Sequence, residues 1–129
     1  MLRLALLILL LSGCTPVRDL DELVQQDSAY LEPRTMEPYS GPVYRLFGDD
    51  STKIEIEGTL RDGVWHGDLT VFHQNGRVRY SGALANGTQC GPWTENADPE
   101  PRESLYEEFV LEIESLSVYP PCPEGVEAP

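Results

Sequence analysis

The feature that most constrains this chain is an internal repeat between Gly58 and Trp93. Shifted by 24 residues (82 − 58), the stretch lies on itself: Gly58 meets Gly82, Leu60 meets Leu84, Asp62 meets Asn86, Gly63 meets Gly87, Gly67 meets Gly91 and Thr70 meets Thr94. Glycines and a turn-forming Asx residue recurring in register mark one supersecondary unit used twice. An earlier, degenerate half-unit precedes it. Aligning Gly41 with Gly67 puts Val43 on Leu69 and Leu46 on Phe72, an offset of 26 residues (67 − 41).

The unit reads as a β-hairpin. In Lys53–Leu60, Ile54, Ile56, Gly58 and Leu60 alternate with Lys53, Glu55, Glu57 and Thr59. A strict period of two is the signature of a half-buried strand. Asp62-Gly63 and Asn86-Gly87 turn the chain, and Asn75-Gly76 is a strong hairpin signal for which a tight type I′ turn is expected. Further strands are expected at Asp68–His73, Arg77–Ala85 and from Gly91. Gly58 and Gly82 fall on the core face in mid-strand, where glycine weakens a strand unless something must come close. Two readings follow: Trp65 and Trp93 fill the space above these glycines, or each glycine marks a bulge.

Three residue types outside the repeat fix its surroundings. Arg3 begins a short n-region, Leu4–Leu11 is an apolar run too short to span a bilayer, and the run ends in Leu11-Ser12-Gly13-Cys14. This tetrapeptide resembles the lipobox of bacterial lipoproteins. The resemblance implies cleavage before Cys14, a diacylglycerol on its sulfur and acylation of the new amino group. Thr15, rather than Asp, follows the cysteine, which points to the outer membrane facing the periplasm. With Cys14 assigned to lipid, Cys90 and Cys122 remain as an even pair in an oxidising compartment, and a disulfide between them is expected.

Charge narrows the partners. The chain has 9 basic and 22 acidic residues, a formal net charge of −13; without residues 1–13, which include Arg3, this becomes 8 − 22 = −14. Such a surface repels phosphate backbones, so no nucleic-acid partner is expected. It also lacks the clustered Lys and Arg that attract anionic lipid. The membrane contact expected is the N-terminal lipid anchor, and the partner a protein of the envelope.

The repeat itself carries a second resemblance. The pattern G-x-[LV]-x-x-[YF]…N-G…G-x-L-x-[ND]-G-x-x-x-G, borne by Gly41, Leu46, Phe47, Gly58, Gly63, Gly67, Phe72, Asn75, Gly76, Gly82, Asn86, Gly87, Gly91 and Trp93, resembles the bacterial variant of the MORN repeat. That family is often labelled antitoxin-like, after toxin–antitoxin systems. It implies an all-β fold, an elongated antiparallel meander of stacked hairpins, with Tyr44, Phe47, Trp65, Phe72, Tyr80 and Trp93 as core aromatics. The resemblance covers Tyr39 to Glu95. Phe72-His73 departs from the family's pair of aromatics.

The expected organisation is therefore a signal peptide over 1–13, an acylated cysteine and flexible acidic tether over 14–38 (with a short helix near Asp19–Gln26), MORN-like hairpins over 39–96, and a Pro-rich cap and tail over 97–129. Over Glu103–Leu116 the apolar residues fit a capping helix, the favoured reading, with Val118-Tyr119 extended after it; a strand at Phe109–Ile113 or Leu116–Tyr119 is the alternative.

No catalytic constellation stands out. There is no nucleophile elbow, phosphate loop or calcium loop, and neither cofactor nor metal is expected. The expectation is a binding or structural module without catalytic activity. The alternatives are a small periplasmic hydrolase using His66 with a carboxylate, and an antitoxin-like protein of an envelope-acting toxin.

Overall fold

The computed structural model describes residues 15–97 and 115–127. The signal region and Cys14 lie outside them, as does the part of the proposed capping helix before Ser115.

The elements run β1 (Arg18–Asp19), a single 3₁₀ turn (Leu20–Glu22), β2 (Val24–Gln26), β3 (Ala29–Leu31), β4 (Gly41–Phe47), β5 (Asp50–Arg61), β6 (Val64–Phe72), β7 (Val78–Ala85), β8 (Thr88–Glu95) and β9 (Ser115–Val118). Seven strands form one open sheet in the order β1-β4-β5-β6-β7-β8-β9. Every neighbouring pair is antiparallel except β1 with β4, which is parallel over two residues. β2 and β3 form a separate hairpin. The all-β meander expected from the repeat is the fold found. Ser115–Val118 takes the strand alternative, pairing along Pro92–Glu95 of β8.

The type I′ turn expected at Asn75-Gly76 does not form there but at the other two Asx-Gly pairs. Asp62 and Gly63 have φ of 51° and 81°, and Asn86 and Gly87 have φ of 50° and 82°; positive φ at both central positions is the type I′ requirement. The Asn75-Gly76 turn differs. Only Gly76 has positive φ, the Gly76 N–H donates to His73 O, and the His73 N–H donates to Arg77 O. This is the longer loop in which a type I turn is closed by a left-handed glycine.

The tether reading of residues 15–38 is corrected by the structure. Leu20 is 3% exposed and Leu23 is also buried, both in a core with Val43 and Leu60, flanked by Tyr30, Tyr39, Ile56 and Trp65. The expected helix at Asp19–Gln26 is instead one 3₁₀ turn, capped by the Asp19 side chain on the Asp21 N–H, followed by a strand. Its i, i+3 leucines serve as a clip rather than a helical stripe. A backbone ring fixes this segment on the β5–β6 turn: Tyr30 N–H donates to Gly63 O, Gly63 N–H to Tyr39 O and Tyr39 N–H to Tyr30 O. Arg18 adds a two-pronged contact to Glu32, at 2.9 and 3.4 Å. Truncating Leu20 tests the docking. Leu20→Ala is expected to lower unfolding free energy by about 3 kcal/mol in urea titration, within the range for buried leucines; a change under ~0.5 kcal/mol, normal for an exposed site, would restore the tether.

Cross-strand pairing divides the sheet into two faces. Val43, Gly58, Leu69 and Gly82 are opposite one another in turn and share one face with Leu60 and Trp65; the N-terminal segment packs on its Val43, Leu60 and Trp65 end. Ala83 and Cys90, paired on β7 and β8, point the other way. They pack with Val126 and Cys122 of the C-terminal tail. Thus two small cores occupy opposite faces at different ends of the sheet. The Cys90–Cys122 disulfide, with its Cα atoms 4.9 Å apart, ties the tail down.

Candidate functional site

The glycine pattern resolves into a repeated device. Opposite Gly58, the ladder between β5 and β6 slips: Gly58 pairs with Leu69 but Leu60 with Trp65. Opposite Gly82, Ser81 pairs with Thr94 but Ala83 with Cys90. The extra residues lie around Gly67 on β6 and Gly91 on β8, whose φ values are 104° and 66°. Bulges of this kind favour glycine, since the left-handed region penalises a Cβ. The two readings of the mid-strand glycines are both realised: each faces a bulge and each lies beneath a tryptophan. A Cβ on Gly58 would stand 2.8 Å from Trp65 Cζ3, and one on Gly82 would fall within the Trp93 indole.

The tryptophans are not repeat equivalents. Trp65 precedes its bulge and Trp93 follows its own. Leu69 occupies the Trp93 position of the first unit and shares the space over Gly58 with Trp65. Trp93 fills the second site alone, donating Nε1–H to Ala83 O at 3.0 Å and meeting Tyr119 edge-on at 6.4 Å.

The remaining expected core aromatics divide. Phe47, Phe72 and Tyr80 are half-buried near the far end of the sheet, Tyr80 with the Arg79 guanidinium 5.1 Å from its ring centre. Tyr44 is a correction. Val43, not Tyr44, shares parity with Gly58, so Tyr44 pairs with Glu57 on the opposite face. Gly41 begins β4 with Tyr39 Oη and Thr15 Cγ2 against it.

His66 is built into the repeat. Its Nδ1 accepts the Asn86 N–H at 3.0 Å, while Trp65 O accepts the Gly87 N–H, so the β7–β8 turn hangs on β6. With Nδ1 accepting, a neutral ring carries its proton on Nε2, so the approach of Arg61 Nη1 at 3.2 Å sets two donors together and is not a hydrogen bond in that tautomer. Among the described residues no carboxylate reaches His66. The ring nitrogen Nε2 of His73 meets Asn96 O, fastening the residue after β8 to the start of the β6–β7 loop. Burial pushes the Tyr39 phenol above its usual range, with the Arg18 guanidinium opposing the rise. Among the described residues no three His, Cys, Asp or Glu side chains gather as a metal site.

A groove of about 410 Å³ lies on the face that carries Tyr44. Val17, Pro42, Tyr44, Glu57, Thr59 and Asp68 are among the residues that line it. Sequence reasoning missed it, because Val17 and Asp68 are far apart in the chain and meet only once β1 is laid beside β4. The alternation in β5 did indicate that Glu57 and Thr59 share an outward face.

No protein-family model, curated protein or solved structure matches the chain.

Proposed function

We propose that this chain is a lipid-anchored module of the bacterial cell envelope, held by an acylated Cys14 and acting by binding a protein partner rather than by catalysis. The observation that carries the reading is the Cys90–Cys122 disulfide on the same chain as Leu11-Ser12-Gly13-Cys14. Structural disulfides persist in oxidising compartments such as the periplasm, and a lipobox directs a chain there. Thr15 after the cysteine favours the outer membrane. The in-register hairpins of β5–β8 support a MORN-like repeat module.

The docked N-terminal segment changes what the anchor does. From Cys14 to Arg18 four residues span at most about 14 Å, so the sheet would ride close to the bilayer instead of on a long leash. The hydrolase alternative loses support, because His66 Nδ1 is engaged by the Asn86 N–H and no carboxylate of the described residues pairs with the ring. Replacing Cys14 tests the anchor. Cys14→Ser is expected to yield an unprocessed, slower-migrating chain without acyl label in metabolic labelling with a fatty acid. Processing at the usual size with unchanged membrane fractionation would defeat the lipoprotein reading.

A further inference from the structure

We propose that the groove between Val17 and Asp68 is a docking site for a lysine- or arginine-bearing extended segment of a membrane-proximal partner protein. The inference rests on the binding-module reading and gives it a surface. Its volume, about 410 Å³, falls in the range of roughly 300–1,000 Å³ typical of ligand pockets.

Charge selects the occupant. The ion pairs of the sheet and its N-terminal pad lie outside the groove: Glu55 with Arg45, Asp50 with Lys53, and Glu22 and Glu32 with Arg18. Glu57 and Asp68, which line the groove, have no cationic partner among the described residues, and no Lys or Arg lines the groove. Two unmatched carboxylates in a concavity of a chain with net charge −13 attract and hold a cation.

The walls suit the rest of a long basic side chain. Val17, 56% exposed, and Pro42 offer apolar surface for its methylenes. Tyr44, the cross-strand neighbour of Glu57, offers an aromatic face for its charged end. The backbone favours an extended peptide over a free amine. β1 covers only Val43 and Tyr44 of β4, and among the described residues no strand pairs with the outer edge of Arg45–Phe47. A segment laid in line with β1 gains main-chain hydrogen bonds there and directs alternate side chains toward the groove.

The test is a titration of the full chain in neutral detergent with fluorescein-labelled acetyl-Gly-Lys-Gly-Lys-Gly-amide, read by anisotropy. Saturable one-to-one binding is expected. Glu57→Gln, Asp68→Asn and Tyr44→Ala should each weaken it about tenfold with thermal midpoints unchanged, and Glu37→Gln, an exposed carboxylate outside the groove, should leave it unaltered. Equal loss in Glu37→Gln would show diffuse attraction and overturn the proposal. So would absence of binding, insensitivity to the groove variants, or groove-dependent binding of phosphatidylethanolamine vesicles in place of the peptide. A silent titration beside Cys14-dependent acylation would remove the groove and leave the anchor standing.

Discussion

Gly82→Ala is expected to destabilise the protein by about 4 kcal/mol, although it adds one methyl group. The new Cβ would fall within the Trp93 ring system, against Cγ, Cδ2 and Cε2. The indole cannot slide aside freely. Its Nε1–H is held by Ala83 O, and Tyr119 stands edge-on beside it at an interplanar angle of 80°. Overpacking costs about 1–3 kcal/mol, and an indole N–H pulled from its buried acceptor costs about 1–3 more. For a domain of this size the melting temperature should fall by on the order of 20 °C. Gly58→Ala should cost less, about 1–2 kcal/mol by the same overpacking scale. There the methyl meets only the rim of Trp65 and the end of Leu69, although Asp68 O also lies 3.0 Å away. The diagnostic measurement is a double-mutant cycle. In the Trp93→Ala background, Gly82→Ala should be nearly neutral. If it remained as costly there, the indole would not be the cause.

Loss of the disulfide should be the second large effect. Closing a separation of 32 residues corresponds to about 3–4 kcal/mol in the chain-entropy model. The tail depends on it: Val126 and Cys122 pad Ala83 and Cys90, while two further main-chain bonds link Gly91 to Tyr119 and Pro120. The Cys90→Ser, Cys122→Ser double variant should therefore unfold at lower urea, by the equivalent of about 3 kcal/mol. Its Ser117–Tyr119 amides should exchange with deuterium well ahead of those of β5 and β6. Unchanged protection of that strand would mean that β9 stands on its four-residue ladder alone.

The sequence made the middle of the fold readable and hid its ends. Strand β5 was legible because one face is apolar and the other charged over many residues. The turns at Asp62-Gly63 and Asn86-Gly87 were legible because few residue pairs tolerate positive φ twice. The Asn75-Gly76 loop has the same signature yet closes differently, since the added His73–Arg77 hydrogen bond lengthens the loop. The N-terminal pad was hidden because its strands are three residues or shorter and most of its side chains face solvent. Leu20 and Leu23 alone bury it, and two leucines three apart also fit a helix. Tyr44 was misplaced because an aromatic beside Val43 invited a core role, while parity with Gly58 belongs to the valine. The groove could not be read at all, being an encounter between the extreme N-terminal strand and a bulged residue of β6.

The bridge between Cys90 and Cys122 also governs what happens when the backbone is cut. Strands β8 and β9 meet at Glu95 and Ser115, so the chain leaves and re-enters the sheet at one point. The disulfide fastens β8 to the tail that follows β9, near the other end of that pairing. A protease that severs any peptide bond between the two cysteines yields two fragments that still migrate as one until a reductant is added. A chain nicked between Glu95 and Ser115 keeps its edge strand covalently joined to the sheet.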